Sequence, residues 1–162
     1  MTRSGIVPRI AQSWWAPGRV VASLRGTPER VLIVILMAAM LIFWVAQAPG
    51  HARAAHLDPS VPLDARLGGA LLAVVFMMPL VAYVVAELVA FASRLTPWRV
   101  SSADSRLALF WALLAVAPAM LLSGLTLGLA GPGAALSLTR AVAGTGFLVI
   151  WGAGLRALAG KA

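Results

Sequence analysis

The chain has 162 residues, 61% of them hydrophobic and 11% charged, with a formal net charge of +8 and no cysteine. So few charges cannot solvate a globular surface, which excludes an ordinary soluble domain, and the missing thiols exclude disulfides, thiolate nucleophiles, iron–sulfur clusters and cysteine-ligated zinc. The arginines sit at the ends of apolar stretches, a pattern that points to anionic lipid headgroups and away from nucleic acid.

The amino-terminal segment, 1–27, reads as cytoplasmic and partly interfacial. Within 10–24, Trp14, Trp15, Val20, Val21 and Leu24 offer apolar contact, while Arg9, Arg19 and Arg25 can meet anionic headgroups at about 1 kcal/mol each. Pro17 and Gly18 interrupt any single helix there. Trp14, Trp15, Arg19 and Arg25 are the expected membrane-surface contacts.

Four long apolar runs follow, at 31–47, 67–92, 107–130 and 141–158, and together they form a transmembrane helical domain over 28–158. A run of about 17 to 25 such residues crosses the roughly 30 Å hydrocarbon layer as a helix. Thr27 is positioned to cap the first helix, Pro28 suits its first turn and Glu29 complements its positive end, so this span is expected over 28–47. Ala46-Gln47-Ala48 resembles a signal-peptide cleavage site, but Pro49 follows directly and the preceding region is long, which fits an uncleaved anchor better. Trp44 suits headgroup level, and 49–66, with three prolines and mixed charge, reads as a solvated loop without a helix.

Pro79 and Pro118 fall near the middles of the second and third spans and are expected to bend both. Between these spans Pro97 and Trp98 mark a turn, and Ser102, Asp104 and Ser105 are candidates to cap the next helix. Gly131-Pro132-Gly133 predicts a short, tight connection to the last span.

Cytoplasmic loops retain Arg and Lys. Arg3, Arg9, Arg19, Arg25, Arg30, Arg94, Arg99, Arg106, Arg156 and Lys161 fall on one side of a four-span arrangement, against Arg53, Arg66 and Arg140 on the other. The expected architecture is therefore all-α: a polytopic bundle of four spans with both termini cytoplasmic, multi-pass in a bacterial inner (plasma) membrane. A fifth span would have to come from the amino-terminal stretch, whose arginines and prolines oppose it.

Glu87 is the one ionisable residue inside a span, and intramembrane acids are candidates for proton or cation handling. Pro79, Tyr83 and Glu87 recur every four residues and so share one helix face, a candidate polar seam. The competing reading has Glu87 pairing with Arg94 or Arg106 as a structural lock. Gly124 and Gly128 form a small-xxx-small pair suited to close helix packing, within the bundle or against a membrane-protein partner or second copy. His51, His56, Asp58 and Asp64 match no rigid metal-ligand spacing, and no catalytic, nucleotide or cofactor motif is present, so no metal, cofactor or enzymatic activity is expected.

The lead-in SWWAPGRVVASLRGTPERVL (13–32), the opening RLALFWALLAVAP (106–118) and the turn GPGAALSL (131–138) resemble the bacterial branch of the Yip-one (Ypt-interacting-protein) membrane family. The likeness implies a compact multi-span bundle of about five helices, one more than span length and polarity give. Eukaryotic relatives contact Rab-type GTPases through an Asp-Leu-Tyr-Gly-Pro motif that has no counterpart here, so GTPase binding is not implied. The expected role is a non-enzymatic membrane-organising or interaction module. The alternatives are a small permease or proton-coupled carrier using Glu87, and an accessory subunit of a larger membrane complex.

Overall fold

The computed structural model describes residues 5–161 and is helical apart from one short strand pair. Two short helices, α1 (Ile6–Gln12) and α2 (Pro17–Ser23), come first. α3 (Glu29–Leu57) follows, and then α4 (Leu63–Leu71), a π-helical segment (Leu72–Met77) and α5 (Met78–Ser93), which run on as one 31-residue helix. β1 (Trp98–Arg99) leads into α6 (Ser102–Ala115), α7 (Ala117–Leu129) and α8 (Ala134–Leu158). β2 (Gly160–Lys161) then pairs antiparallel with β1.

Among the described residues three helices are long and apolar enough to cross a bilayer: α3, the 63–93 helix and α8. α6 and α7 together make up to a fourth, bent by 41° between them. The bend follows from Pro118 in the first turn of α7, which has no N–H for the Leu114 carbonyl and whose ring collides with it. Pro79 acts differently. The six residues Leu72–Met77, just before it, widen into the π segment, which makes room for the ring, so the second span runs on through the proline without being divided.

α6 is buried along nearly its whole length, with Leu107, Phe110, Trp111 and Leu114 enclosed by α2, α3, α5 and α8. In lipid, covering an apolar side chain with another helix gains little by itself, so such a bundle depends on close van der Waals fit and small residues. Ala82, Ala86 and Ala90 form one buried stripe on α5, at the helical repeat, where α5 lies on α6. The Ser105 hydroxyl donates to the Ala86 carbonyl at 2.7 Å across that contact.

Several local expectations are corrected. The stretch 49–66 is not a loop: α3 continues through Pro49 to Leu57, and α4 begins at Leu63. Thr27 does not cap α3, since its hydroxyl donates back to the Leu24 carbonyl at 2.5 Å and Pro28 occupies the cap position. The cap of α6 is Ser101, whose Oγ accepts the Asp104 amide at 3.1 Å. Trp44 lies mid-helix in α3 and donates its indole N–H to the Leu67 carbonyl at 3.0 Å, tying α3 to α4. α8 starts at Ala134, seven positions before the apolar run at 141. Arg3, counted with the amino-terminal arginines, lies outside the described residues.

The largest correction concerns the amino-terminal segment. Val20 and Val21, expected to touch lipid, are buried in the bundle core where α2 packs on α8. Gly154 makes room for Val21, and Gly18 lies against Ala157. At 1.5 Å per residue, Trp14, seated on Gly146, lies about 18 Å along α8 from Leu158, beside which Arg25 sits. The segment is thus built into the bundle over about half a bilayer's depth.

Candidate functional site

The polar cluster forms at the end of the bundle where α3 begins, α5 ends, α6 begins and α8 ends. Helix periodicity puts Tyr83 and Glu87 on one face of α5, and Arg106 sits one turn into α6, four positions after Ser102. α6 packs against both α3 and α5, so Arg106 is held between them. Its Nη1 meets Glu87 Oε1 at 2.5 Å and its Nη2 meets Glu29 Oε2 at 3.2 Å. The Ser102 hydroxyl donates to the other Glu87 oxygen at 2.8 Å, and the Tyr83 hydroxyl donates to Glu29 Oε1 at 2.6 Å.

Every oxygen of both carboxylates is therefore engaged. The guanidinium also lies 5.9 Å from the Tyr83 ring centroid, and that ring meets Phe110 edge-on at 5.0 Å. One arginine thus joins three helices near their ends. The charges do not balance, with two carboxylates to one guanidinium, and both acids remain close to half exposed. This arrangement gives each Glu87 oxygen a partner within the protein and binds the helices together.

Of the residues that the sequence set on one face, Tyr83 and Glu87 meet in this cluster. Pro79 does not, since it sits directly behind the π segment and serves the backbone path of the helix. Of the two candidate partners of Glu87, Arg106 is the one that pairs and Arg94 is not bonded to it. Glu29 and Ser102 belong to the cluster but were read from sequence only as helix-end residues. The signal was present: both fall on the arginine-rich side of the loop count, as Glu87 does.

Gly124 and Gly128 meet α3 of the same chain. A Cβ at Gly124 would stand 1.7 Å from the Ala46 carbonyl oxygen, and one at Gly128 would stand 2.4 Å from the Pro49 ring. The two helices touch backbone to backbone there. Arg53 closes the far end of this seam, its Nη1 reaching the Gly128 carbonyl at 3.5 Å.

Of the four expected surface contacts, two are used internally. The Trp14 indole N–H donates to the Ala115 carbonyl at 3.1 Å, at the bend between α6 and α7, and its ring covers Gly146. Arg25 meets Asp104 Oδ2 at 3.0 Å and the Leu158 carbonyl at 3.2 Å, tying the end of α2 to α6 and α8. All four nevertheless remain exposed, Trp14 and Arg25 as well as Trp15 and Arg19. His51 and His56 lie on the last turns of α3, Asp58 caps it and Asp64 opens α4, and no three metal-binding side chains come together among the described residues.

No family model, curated protein or solved structure matches the chain.

Proposed function

We propose that this chain is a four-span protein of a bacterial inner membrane, of the Yip-one type, with both termini cytoplasmic. In this reading it has no enzymatic activity and acts as a membrane-organising or interaction module, in contact with anionic headgroups at its arginine-rich end. The observation that supports it best is the state of Glu87. A proton or cation carrier needs an intramembrane acid that can be released to its cargo. Glu87 instead spends both oxygens on Ser102 and Arg106, in a lock that also holds Glu29. α6–α7 taken as one bent span makes four crossings, which puts the arginine-rich loops together on one face.

Reconstitution into liposomes holding a pH-sensitive dye tests the role. The module reading expects no proton flux from wild type and none from Glu87→Gln. Flux that Glu87→Gln abolishes would establish the carrier in its place. The accessory-subunit reading has its own support in the outer face of α5, where Leu80, Val84, Leu88 and Phe91 are exposed in a row at the helical repeat. A stoichiometric protein companion cross-linked to that face in native membranes would favour it, and lipid alone would count against it.

A further inference from the structure

α5 and α8 both pack on α6, and near their last turns a groove of about 710 Å³ opens, lined by Val89, Ala92, Trp98, Val100 and Leu155 among others. Its lining is mostly apolar, with the hydroxyls of Ser93 and Thr96 turned to backbone carbonyls, and Arg156 lies 5.7 Å from the centroid of the Trp98 ring. A second cavity of about 570 Å³ adjoins it, lined by Arg25, Arg94, Arg99, Ser101, Ser102 and Asp104. Val100 lines both cavities. The β1–β2 ladder divides them for a simple reason: successive strand residues face opposite sides, so Trp98 lines the apolar groove and Arg99 the basic cavity.

The charges of this cavity are only partly spent. All three acids at this end of the bundle are paired, Glu29 and Glu87 with Arg106 and Asp104 with Arg25. The guanidinium groups of Arg94 and Arg99 have no hydrogen-bond or ion-pair partner among the described residues, both residues being bonded there through the backbone alone. Three guanidinium groups thus face one carboxylate, and the carboxylate is already engaged. An anion with an apolar tail fits this pair of cavities in both chemistry and order.

We propose that the groove and the basic cavity together bind one anionic phospholipid, its phosphate held by Arg94 and Arg99 and an acyl chain lying against Val89, Ala92 and Leu155. The site rests on the reading above that this end of the bundle lies at headgroup depth. Guanidinium and phosphate pair by short, charge-assisted hydrogen bonds, and the groove selects a lipid over a free phosphate by covering its chain. β1 and β2, which tie the 94–101 turn to the carboxyl end of the chain, give the site a fixed wall.

The test is native mass spectrometry of the full chain purified in mild detergent with equal phosphatidylglycerol and phosphatidylcholine. One phosphatidylglycerol retained per chain is expected, preferred about tenfold over phosphatidylcholine. Arg94→Gln/Arg99→Gln should lose that preference. Ala92→Phe, which fills the groove from an exposed position, should lose the lipid while its melting temperature holds. Arg30→Gln/Arg140→Gln removes equal charge away from the cavity and should change nothing. Equal retention of both lipids, or equal loss in the Arg30/Arg140 control, overturns the site. So does binding that survives Ala92→Phe and is displaced by inorganic phosphate, which would mark a free-anion site. Any of these in a protein that still requires detergent leaves the membrane reading standing; a chain that stays in solution without detergent overturns that reading itself.

Discussion

Ser13 and Trp111, 98 positions apart in sequence, meet in the interior of the bundle, where the indole N–H of Trp111 donates to Ser13 Oγ at 2.9 Å. Both side chains are fully buried, and the Ser13 hydroxyl passes its own hydrogen to the Arg9 carbonyl at 2.8 Å. This relay fixes the turn between α1 and α2 on α6. Replacing Ser13 by Ala leaves a buried indole N–H without an acceptor, a loss of about 1–2 kcal/mol. Thermal unfolding in detergent should show Ser13→Ala destabilised, and Ser13→Ala/Trp111→Phe should fall short of the sum of the two single changes. Full additivity would mean that the pair does not interact.

The α3–α7 seam makes a sharper prediction, because the obstacle is backbone. Gly124→Ala puts a methyl group against the Ala46 carbonyl, which cannot swing aside, so the two helices must separate. A cost of about 2–3 kcal/mol is expected, at the upper end for overpacking. Gly144 and Gly152 on α8 have nothing within 4 Å of such a methyl group. Gly144→Ala should therefore stabilise slightly, by about 0.5–1 kcal/mol, through helix propensity alone. Comparing the melting temperatures of these variants checks both signs at once.

These two contacts mark what could be read from the sequence and what could not. Three long apolar helices and the bent pair α6–α7 were legible as apolar runs, though not their full lengths, and the break at Pro118 follows from the missing donor. The continuation of α3 through Pro49 was not. Proline and the following glycine argue locally for a stop, yet both are seated against Gly128 and Leu127 of α7, a contact that exists only once the helices are packed. The amino-terminal segment was misread for a similar reason. Val20 and Val21 have the pattern of a surface-lying helix, and the notches that receive the segment, Gly146 for Trp14 and Gly154 for Val21, are more than a hundred positions away. Within the polar cluster the face of Tyr83 and Glu87 was legible from spacing, whereas its convergence with Glu29 depends on which helices flank α6.

Arg106 holds that cluster together, so its loss should cost more than the loss of either acid. Arg106→Leu leaves Glu29 and Glu87 facing each other without a counter-charge. Because both carboxylates are close to half exposed, solvent screens the effect, and a destabilisation of about 1–2 kcal/mol is expected. Glu87→Gln keeps a hydrogen-bonding oxygen and should cost less than half as much. Equal effects would show that the arginine acts on Glu87 alone.

Acid should loosen the connection between α3 and α4. The hydroxyl and backbone amide of Ser60 hold the Asp58 carboxyl below its ordinary value of 3.8, with a smaller contribution from Arg66. A lowered value in the folded state means that the carboxylate stabilises the turn at neutral pH. This contribution begins to fall as the pH nears 3.8 and is gone once the pH passes below the folded value. Amide exchange at Ser60, whose N–H donates to Asp58 Oδ1 at 3.1 Å, should accelerate over that window and should be independent of pH there in Asp58→Asn once intrinsic rates are divided out. An unchanged protection factor in wild type would remove Asp58 from the turn's stability.

The topology is tested most directly by single cysteines in a chain that has none of its own. Ser60→Cys, Pro97→Cys and Pro132→Cys place one thiol in each connection between the long apolar helices, for labelling by a membrane-impermeant maleimide on sealed cells and on inverted vesicles. Four crossings with both termini cytoplasmic require that Ser60→Cys and Pro132→Cys label from the outer face and that Pro97→Cys label only from the inner one. If Pro97→Cys and Pro132→Cys label from the same face, α6 and α7 enter and leave on one side, the chain crosses three times, and its two ends lie in different compartments.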